Sequence, residues 1–168
     1  MDASIHEACK YSLAAEVLQS TGELRFRASG ISMLPALWPG DCFTIRAHSI
    51  EEVQQGDIVL YARSGRFFIH RVTRKCASGE ETFLSTRGDC MVKEDPPVKK
   101  RELLGKVIAI HRHGSRIMPR RKLSRLELLS AWLLCHWNLL LRTTLRVYTD
   151  RAFGWLFLAP EKVEQLKG

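Results

Sequence analysis

The sequence predicts a mainly β fold with flanking helices, in the α+β class. Six short segments rich in β-branched and aromatic residues lie between residues 23 and 112, and Gly, Pro and Asp turns separate them. An amphipathic segment precedes these strands, and an apolar segment of helical periodicity follows them. We therefore divide the chain into an N-terminal amphipathic helix (1–22), a β core (23–112) and a C-terminal part (113–168), which starts as a basic linker and continues as an apolar helical arm.

The N-terminal segment is expected to form a helix from residue 4 to residue 20. Ser4 and Glu7 have the spacing of a capping box, and Gly22 follows the predicted end of the helix. Apolar residues spaced four apart form one row, and two more lie beside it: Ile5, Cys9, Leu13 and Val17, with Ala14 and Leu18. This pattern predicts a helix face that packs against the core.

The predicted strands are short, which favours a compact and largely antiparallel sheet. They are ELRFRA (23–28), CFTIRA (42–47), DIVLYAR (57–63), RFFIHRVTR (66–74), TFLST (82–86) and LLGKVIAIHR (103–112). Ser64 and Gly65 separate the third segment from the fourth, and this spacing predicts a hairpin with its tip at these two residues.

The C-terminal part begins with a basic run, residues 111–125, that contains no acidic residue. Ser124 and Glu127 then form a second capping box, which predicts a helix extending to about Arg146 or Asp150, and a shorter apolar piece covers 152–160. The helix has a narrow polar stripe and a wide arc of Leu and Trp. Such an arc docks on the sheet, on a partner protein or on a membrane surface.

The net charge of +8 suits an acidic partner, either nucleic acid or an anionic membrane surface, although a basic run can also be an ordinary solvated face. Nucleic acid is the weaker candidate, because no aromatic residues interleave with the basic residues of 111–125. We therefore expect any membrane or protein partner to contact residues 111–158.

The five cysteines are an odd number and form no C-x-x-C pair, which indicates reduced thiols. Only His111 and His113 approach a metal-ligand spacing, so we predict no metal and no cofactor. The N-terminus lacks the pattern of a signal peptide, and the longest uncharged apolar run (128–141) is shorter than the ~18 residues of a spanning helix. These features favour a cytoplasmic or peripheral membrane location.

A serine, a histidine and a group of carboxylates could together form a site for nucleophilic catalysis. Ser32 lies in SGISMLPALWPGD, between Gly and Pro residues that stiffen the chain, and a serine nucleophile needs a base held by a third group. His70 lies in the middle of a predicted core strand, in FFIHRV, and a later loop holds Asp89, Glu94 and Asp95. The same residues would also suit a loop serine, a structural histidine and solvated turn carboxylates, so the pattern leaves both interpretations open.

The order of the motifs resembles the signal peptidase I and LexA-like serine peptidase superfamily over roughly residues 23–110. The motifs are G-I-S-M-L-P (30–35), G-D-I-V (56–59), H-R-V (70–72), R-G-D (87–89) and L-G-K-V (104–107). A histidine at position 70, where many members have lysine, resembles the archaeal and endoplasmic-reticulum type of signal peptidase. The resemblance implies a serine endopeptidase that cleaves signal or leader peptides from precursor proteins. It implies Ser32 as nucleophile, His70 as general base, Asp95 as the orienting carboxylate and Asp89 as a supporting one.

Two departures keep other functions open. Signal peptidases usually carry a spanning helix before the serine, which we do not find in the first 31 residues, and the G-x-S spacing is the LexA-like form. The alternatives are a self-cleaving LexA-like regulator and a non-catalytic peptide-binding module of the same fold. The regulator is disfavoured, because the 30 residues before the motif are too few for a helix-turn-helix domain and no Ala-Gly or Cys-Gly bond is present.

Overall fold

A computed structural model describes residues 2–79 and 81–136. In this part of the chain, a mainly antiparallel β sheet is accompanied by two α-helices, α1 (Asp2–Thr21) and α2 (Arg125–His136). The strands are β1 (Glu23–Arg27), β2 (Cys42–Arg46), β3 (Ile58–Arg63), β4 (Arg66–Ser78), β5 (Glu81–Arg87), β6 (Val98–Lys99), β7 (Leu103–Arg112) and β8 (Ser115–Ile117). The predicted mainly β class is confirmed.

The strands of the described residues form one sheet in the order β1-β2-β7-β3-β4-β5-β6, with β8 paired to β7. Each pairing is antiparallel, which follows from the short turns that join several neighbours. The six predicted strands are present with ends shifted by a few residues. The sequence did not indicate β6 and β8, because two or three residues are too few to show an alternating pattern.

The predicted hairpin joins β3 to β4. Arg63 pairs with Arg66, and both residues of the tip have positive φ, 50° at Ser64 and 75° at Gly65. This is the conformation of a two-residue type I′ turn, whose twist matches that of the strands. The register that the turn sets places Val59 opposite His70, in the middle of the sheet.

The helix α1 begins at Asp2, so Ser4 lies within it and is not its N-cap as predicted. It ends as predicted, because the Gly22 N–H donates to the Leu18 carbonyl at 3.0 Å and Gly22 adopts φ 73°. The predicted buried row is wrong at Leu13, which is 59% exposed, whereas Ala14 and Leu18 are buried. Because α1 packs against β1, the side of the helix that carries Ala14 and Leu18 faces the core. The side chains of Ile5 and Cys9 lie outside the described residues.

Two clusters of buried side chains form the core. The first contains Leu18, Ala28, Met33, Leu37, Phe43, Ile45, Ile58, Leu60, Val107 and Ile110, and the second contains Ile50, Val53, Val59, Tyr61, Val72, Leu84 and Val98. Adjacent β3 residues alternate between the two clusters, as the period of a strand requires. Both faces of this central strand are therefore covered.

The helix α2 has the predicted capping box. The Ser124 N–H donates to Glu127 Oε2 at 2.7 Å, and the Glu127 N–H donates to Ser124 Oγ at 3.2 Å. The predicted continuation to Arg146 or Asp150 and the apolar piece 152–160 lie outside the described residues. Neither of the helices described here is long and apolar enough to cross a membrane. The division at residues 22 and 112 stays a prediction.

The turn between β1 and β2 is anchored by Asp41, which is only 2% exposed. Its carboxylate accepts hydrogen bonds from the Trp38 N–H at 2.8 Å and from the Arg112 guanidinium at 2.6 to 3.1 Å. Arg112 also donates to the Ala36 carbonyl at 3.1 Å. The ion pair between Asp41 and Arg112 of β7 therefore fixes the end of the turn, and the contact of Arg112 with Ala36 fixes its middle.

We expect Asp41→Ala to lower the free energy of unfolding by about 3 kcal/mol, because it leaves the partly buried Arg112 charge without its carboxylate. Urea unfolding followed by circular dichroism measures the change. The matched control is Glu23→Ala, which removes an exposed ion pair with Arg46 and should cost less than about 1 kcal/mol. Equal losses in the two variants would contradict an anchoring role for Asp41.

Candidate active site

Ser32 lies in the turn between β1 and β2, and its side chain is half-buried. The residues that follow it, Met33, Leu34 and Leu37, are buried beneath the turn, and the Leu37 N–H donates to the Met33 carbonyl at 2.9 Å. The Leu34–Pro35 peptide bond is cis. Met33 thus packs in the core, and the Ser32 side chain is carried on a backbone held by apolar contacts below it.

His70 lies in β4 and is 7% exposed. The rings of Tyr61 and Phe68 each have their centroid 6.3 Å from that of the imidazole, and they stack on each other at 5.4 Å. A side chain on an inner strand, packed beside a stacked pair of aromatic rings, has few alternative rotamers. The orientation of the imidazole is therefore set by the sheet and its packing.

The imidazole joins two residues that are distant in the sequence. His70 Nε2 lies 3.1 Å from Ser32 Oγ, and His70 Nδ1 lies 2.6 Å from Asp95 Oδ2. An ionised carboxylate only accepts hydrogen bonds, so we assign the proton to Nδ1, which leaves the Nε2 lone pair to accept from the Ser32 hydroxyl. This chain of hydroxyl, imidazole and carboxylate has the geometry that activates a serine.

Asp95 is itself held by the end of β5. The Thr86 hydroxyl donates to Asp95 Oδ2 at 2.8 Å, and the Asp95 N–H donates to the Thr86 carbonyl at 2.8 Å. Thr86 is fully buried, and its Oγ1 lies 3.5 Å from the Tyr61 hydroxyl. The hydrogen-bonded chain thus continues from Ser32 through His70 and Asp95 into the core.

Burial raises the pKa of Tyr61 well above its usual value; the hydrogen bond with Thr86 lowers it in part, and the nearby Asp95 carboxylate raises it again. The phenol therefore stays neutral beside Asp95. A neutral hydroxyl adds no second negative charge to the buried end of the site.

Asp89 does not contact His70. Its carboxylate binds the Arg71 guanidinium through two contacts of 2.7 Å, and the Asp89 side chain is 4% exposed. Arg71 Nη1 also donates to the carbonyls of Gly56 and Arg120, at 2.9 and 2.6 Å. Asp89 therefore fixes its own loop to β4. Its connection to the site is indirect, through neighbouring residues.

The loop that Asp89 fixes packs directly against the serine backbone. The Cys90 N–H donates to the Ser32 carbonyl at 2.8 Å. A Cβ atom on Gly88 would lie 2.6 Å from that carbonyl oxygen and 3.0 Å from Ser32 Cβ. Gly88 is thus required by the close approach of the two segments.

Glu94, the third carboxylate of this loop, has other partners on β4. It pairs with the exposed Arg74 at 3.1 Å, and hydrogen bonds from Thr73 and Arg74 lower the pKa of Glu94. Of the three carboxylates, Asp95 is the one that contacts the imidazole.

Sequence reasoning missed Thr86, Tyr61 and Arg71. A threonine at a strand end and a tyrosine inside a strand match common core patterns, so neither carried a signal of its own. Arg71 follows His70 directly, but its link to Asp89 depends on the fold. No group of three or more His, Cys, Asp or Glu side chains in the described part of the chain is placed to hold a metal ion.

No protein-family model matches the chain, and no curated protein sequence matches it. The chemical interpretation of the site therefore depends on its geometry and on the order of its sequence motifs.

The raised pKa of Tyr61 predicts a loss of stability at alkaline pH. Above the usual pKa of tyrosine, about 10, the unfolded chain releases this proton and the folded chain keeps it. The free energy of unfolding should then fall by up to about 1.4 kcal/mol per pH unit through this group. Urea unfolding across this range should show a shallower fall for Tyr61→Phe, which keeps the other alkaline groups, and parallel slopes would refute the prediction.

Proposed function

We propose that this chain is a serine-type endopeptidase, similar to signal peptidase I, that cleaves signal or leader peptides from precursor proteins. The observation that carries the proposal is the position of His70, which lies within hydrogen-bonding distance of both Ser32 Oγ and Asp95 Oδ2. The proposed nucleophile, base and orienting carboxylate are thus within hydrogen-bonding distance of one another before any substrate binds.

In the proposed reaction, Ser32 Oγ attacks the carbonyl carbon of a peptide bond while His70 Nε2 takes the hydroxyl proton. The imidazolium then carries protons on both nitrogens, and the Asp95 carboxylate stabilises its positive charge through Nδ1. His70 Nε2 next protonates the amine that leaves, and an acyl-enzyme remains on Ser32.

Water completes the cycle. His70 accepts a proton from the water that attacks the acyl carbon, and Ser32 Oγ regains a proton as the acid product leaves. The negative oxygen of each tetrahedral intermediate needs fixed hydrogen-bond donors, and the Ser32 N–H is one candidate for this role.

The contacts around the triad support the proposal, because a nucleophile must be held within a fraction of an ångström. Thr86 orients Asp95, and the Arg71–Asp89 ion pair holds the loop whose Cys90 N–H binds the Ser32 carbonyl. Asp89 is therefore proposed as a positioning residue, in agreement with the supporting role that the family resemblance implies.

The surroundings of Ser32 suit an apolar substrate segment. Ile31, next to the nucleophile, is exposed, as are Met91 and Val92, which follow the Cys90 contact. Leader and signal peptides present such apolar segments near the bond that is cut. Together with the order of motifs over residues 23–110 and a histidine base, this favours the archaeal and endoplasmic-reticulum type of signal peptidase as the nearest chemical class.

The deciding experiment incubates the chain with a mixture of synthetic peptides of diverse sequence and identifies new termini by mass spectrometry. A parallel sample is treated with a fluorophosphonate, which labels activated serines. We expect cleavage and labelling at Ser32 by the wild type, and neither by Ser32→Ala. The matched control is Ser29→Ala, a loop serine three residues before, which should keep both activities.

Each other outcome points to a different function. Cleavage within the chain itself, without cleavage of added peptides, would replace the proposal by a self-cleaving regulator. A wild type that neither cleaves nor is labelled, but still binds peptides, would be a binding module. Equal cleavage by wild type and Ser32→Ala would exclude Ser32 as the nucleophile.

The two carboxylates should differ in what they control. Asp95→Asn keeps the shape of the site but no longer favours the Nδ1–H tautomer, so labelling of Ser32 should slow by about 10³-fold or more with a small change in stability. Asp89→Asn leaves the Arg71 charge uncompensated, so it should lower the free energy of unfolding by about 3 kcal/mol and slow labelling far less. Labelling rates and urea unfolding measure both effects, and the reverse pattern would exchange the two roles.

A further inference from the structure

The helix α2 has its apolar residues on the outside. The side chains that face away from the core are Leu126, Leu128, Leu129 and Trp132, with Leu126 80% exposed and Trp132 57% exposed. The side that packs inward uses the buried Ala131 and Leu134. This is the reverse of an ordinary surface helix, whose outer face is polar. Between residues 128 and 136 the sequence has no Asp, Glu, Lys or Arg.

The segment before α2 is strongly basic. No acidic residue occurs between Glu102 and Glu127. Some of the cations there have partners in the fold, because Arg112 binds Asp41, and Lys106 and Arg121 bind Asp57. The exposed side chains of Arg116, Arg120, Lys122 and Arg125 form no ion pair within the described part of the chain.

Part of this charge lines a cleft of about 390 Å³. Arg116 and Arg120 lie there with Arg46, His48 and Lys106, and the one carboxylate, Asp57, is already paired with Lys106 and Arg121. A concave surface of excess positive charge attracts phosphate groups. The basic segment is therefore complementary to an anionic surface.

We propose that the outer face of α2 and the basic segment 116–125 bind the surface of an anionic phospholipid membrane. The Leu and Trp side chains enter the boundary of the acyl chains, and the Arg and Lys side chains contact the phosphates. A second copy fits less well, because a two-fold interface would bring the same cations of both copies together. Nucleic acid would leave the apolar face in water.

This binding mode would place the Ser32 site close to the membrane. Cys90 Sγ lies 3.8 Å from the Ala131 carbonyl of α2, and the Cys90 N–H binds the Ser32 carbonyl. The apolar face and the nucleophile are thus joined through one loop. The membrane interaction itself does not require that the chain be a peptidase.

The test is flotation of the full chain with vesicles of phosphatidylcholine, or of phosphatidylcholine with about one third phosphatidylglycerol. We expect binding to the anionic vesicles, little binding to the neutral ones, and release as salt is raised. Leu129→Gln should weaken binding about tenfold, whereas the matched control Leu13→Gln, an exposed leucine on α1, should not.

A pair of charge variants tests the basic segment. Arg116→Gln with Lys122→Gln should weaken binding at least about tenfold. Arg25→Gln with Arg66→Gln lowers the net charge equally, from +8 to 8 − 2 = +6, on other exposed residues, and should weaken it far less. All of these positions are exposed, so the thermal unfolding followed by circular dichroism should change little. A loss of binding can then be attributed to the removed surface charges.

Three results would overturn the proposal: no binding of the wild type to anionic vesicles, equal losses in test and control variants, or a dimer in light scattering that Leu129→Gln converts to a monomer without any vesicle binding. Ser32→Ala should bind vesicles as the wild type does. A wild type that binds anionic vesicles but cleaves no added peptide would reject the proposed peptidase and leave the membrane proposal standing.

Discussion

The short contact of 2.6 Å between His70 Nδ1 and Asp95 Oδ2 is the interaction on which the site depends. It fixes which nitrogen of the imidazole carries the proton, and hence which nitrogen can accept from Ser32. Three segments must meet for this to happen: the turn after β1, the middle of β4 and the loop after β5. Since a loop is mobile unless it is tied down, the rest of the architecture can be understood as the means of holding the turn and the loop against one rigid strand.

Buried ion pairs and hydrogen bonds supply that attachment. Asp41 holds the turn through Arg112 of β7, and Asp89 holds the loop through Arg71 of β4. Ionised groups are costly to bury. Here each carboxylate is paired with two nitrogens of a guanidinium, which offsets that cost. In the described part of the chain, no buried side-chain nitrogen or oxygen lacks a hydrogen-bond partner. The polar interior therefore gives the site a defined geometry at little net gain in stability.

The position of α2 relates the proposed chemistry to the proposed membrane surface. Its inward side is formed by Ala131 and Leu134, and Ala131 lies against the loop that carries Cys90. Its outward side is apolar and follows a basic segment. A peptidase bound in this way would meet its substrates at the membrane surface. Apolar leader segments bind there too, so their local concentration near the site would be raised.

The sequence by itself determined the mainly β class, six of the strands, the hairpin tip at Ser64 and Gly65, and the start of α2, because local periodicity and turn chemistry carry that information. It also singled out Ser32, His70 and Asp95 through motif order. Only the tertiary structure decided that Asp89 pairs with Arg71, that Thr86 and Tyr61 lie behind Asp95, and that Leu13 faces water while Ala14 and Leu18 are buried. These contacts join residues from different elements, and the rotation of a helix or the facing of a loop is set by packing that no local pattern encodes.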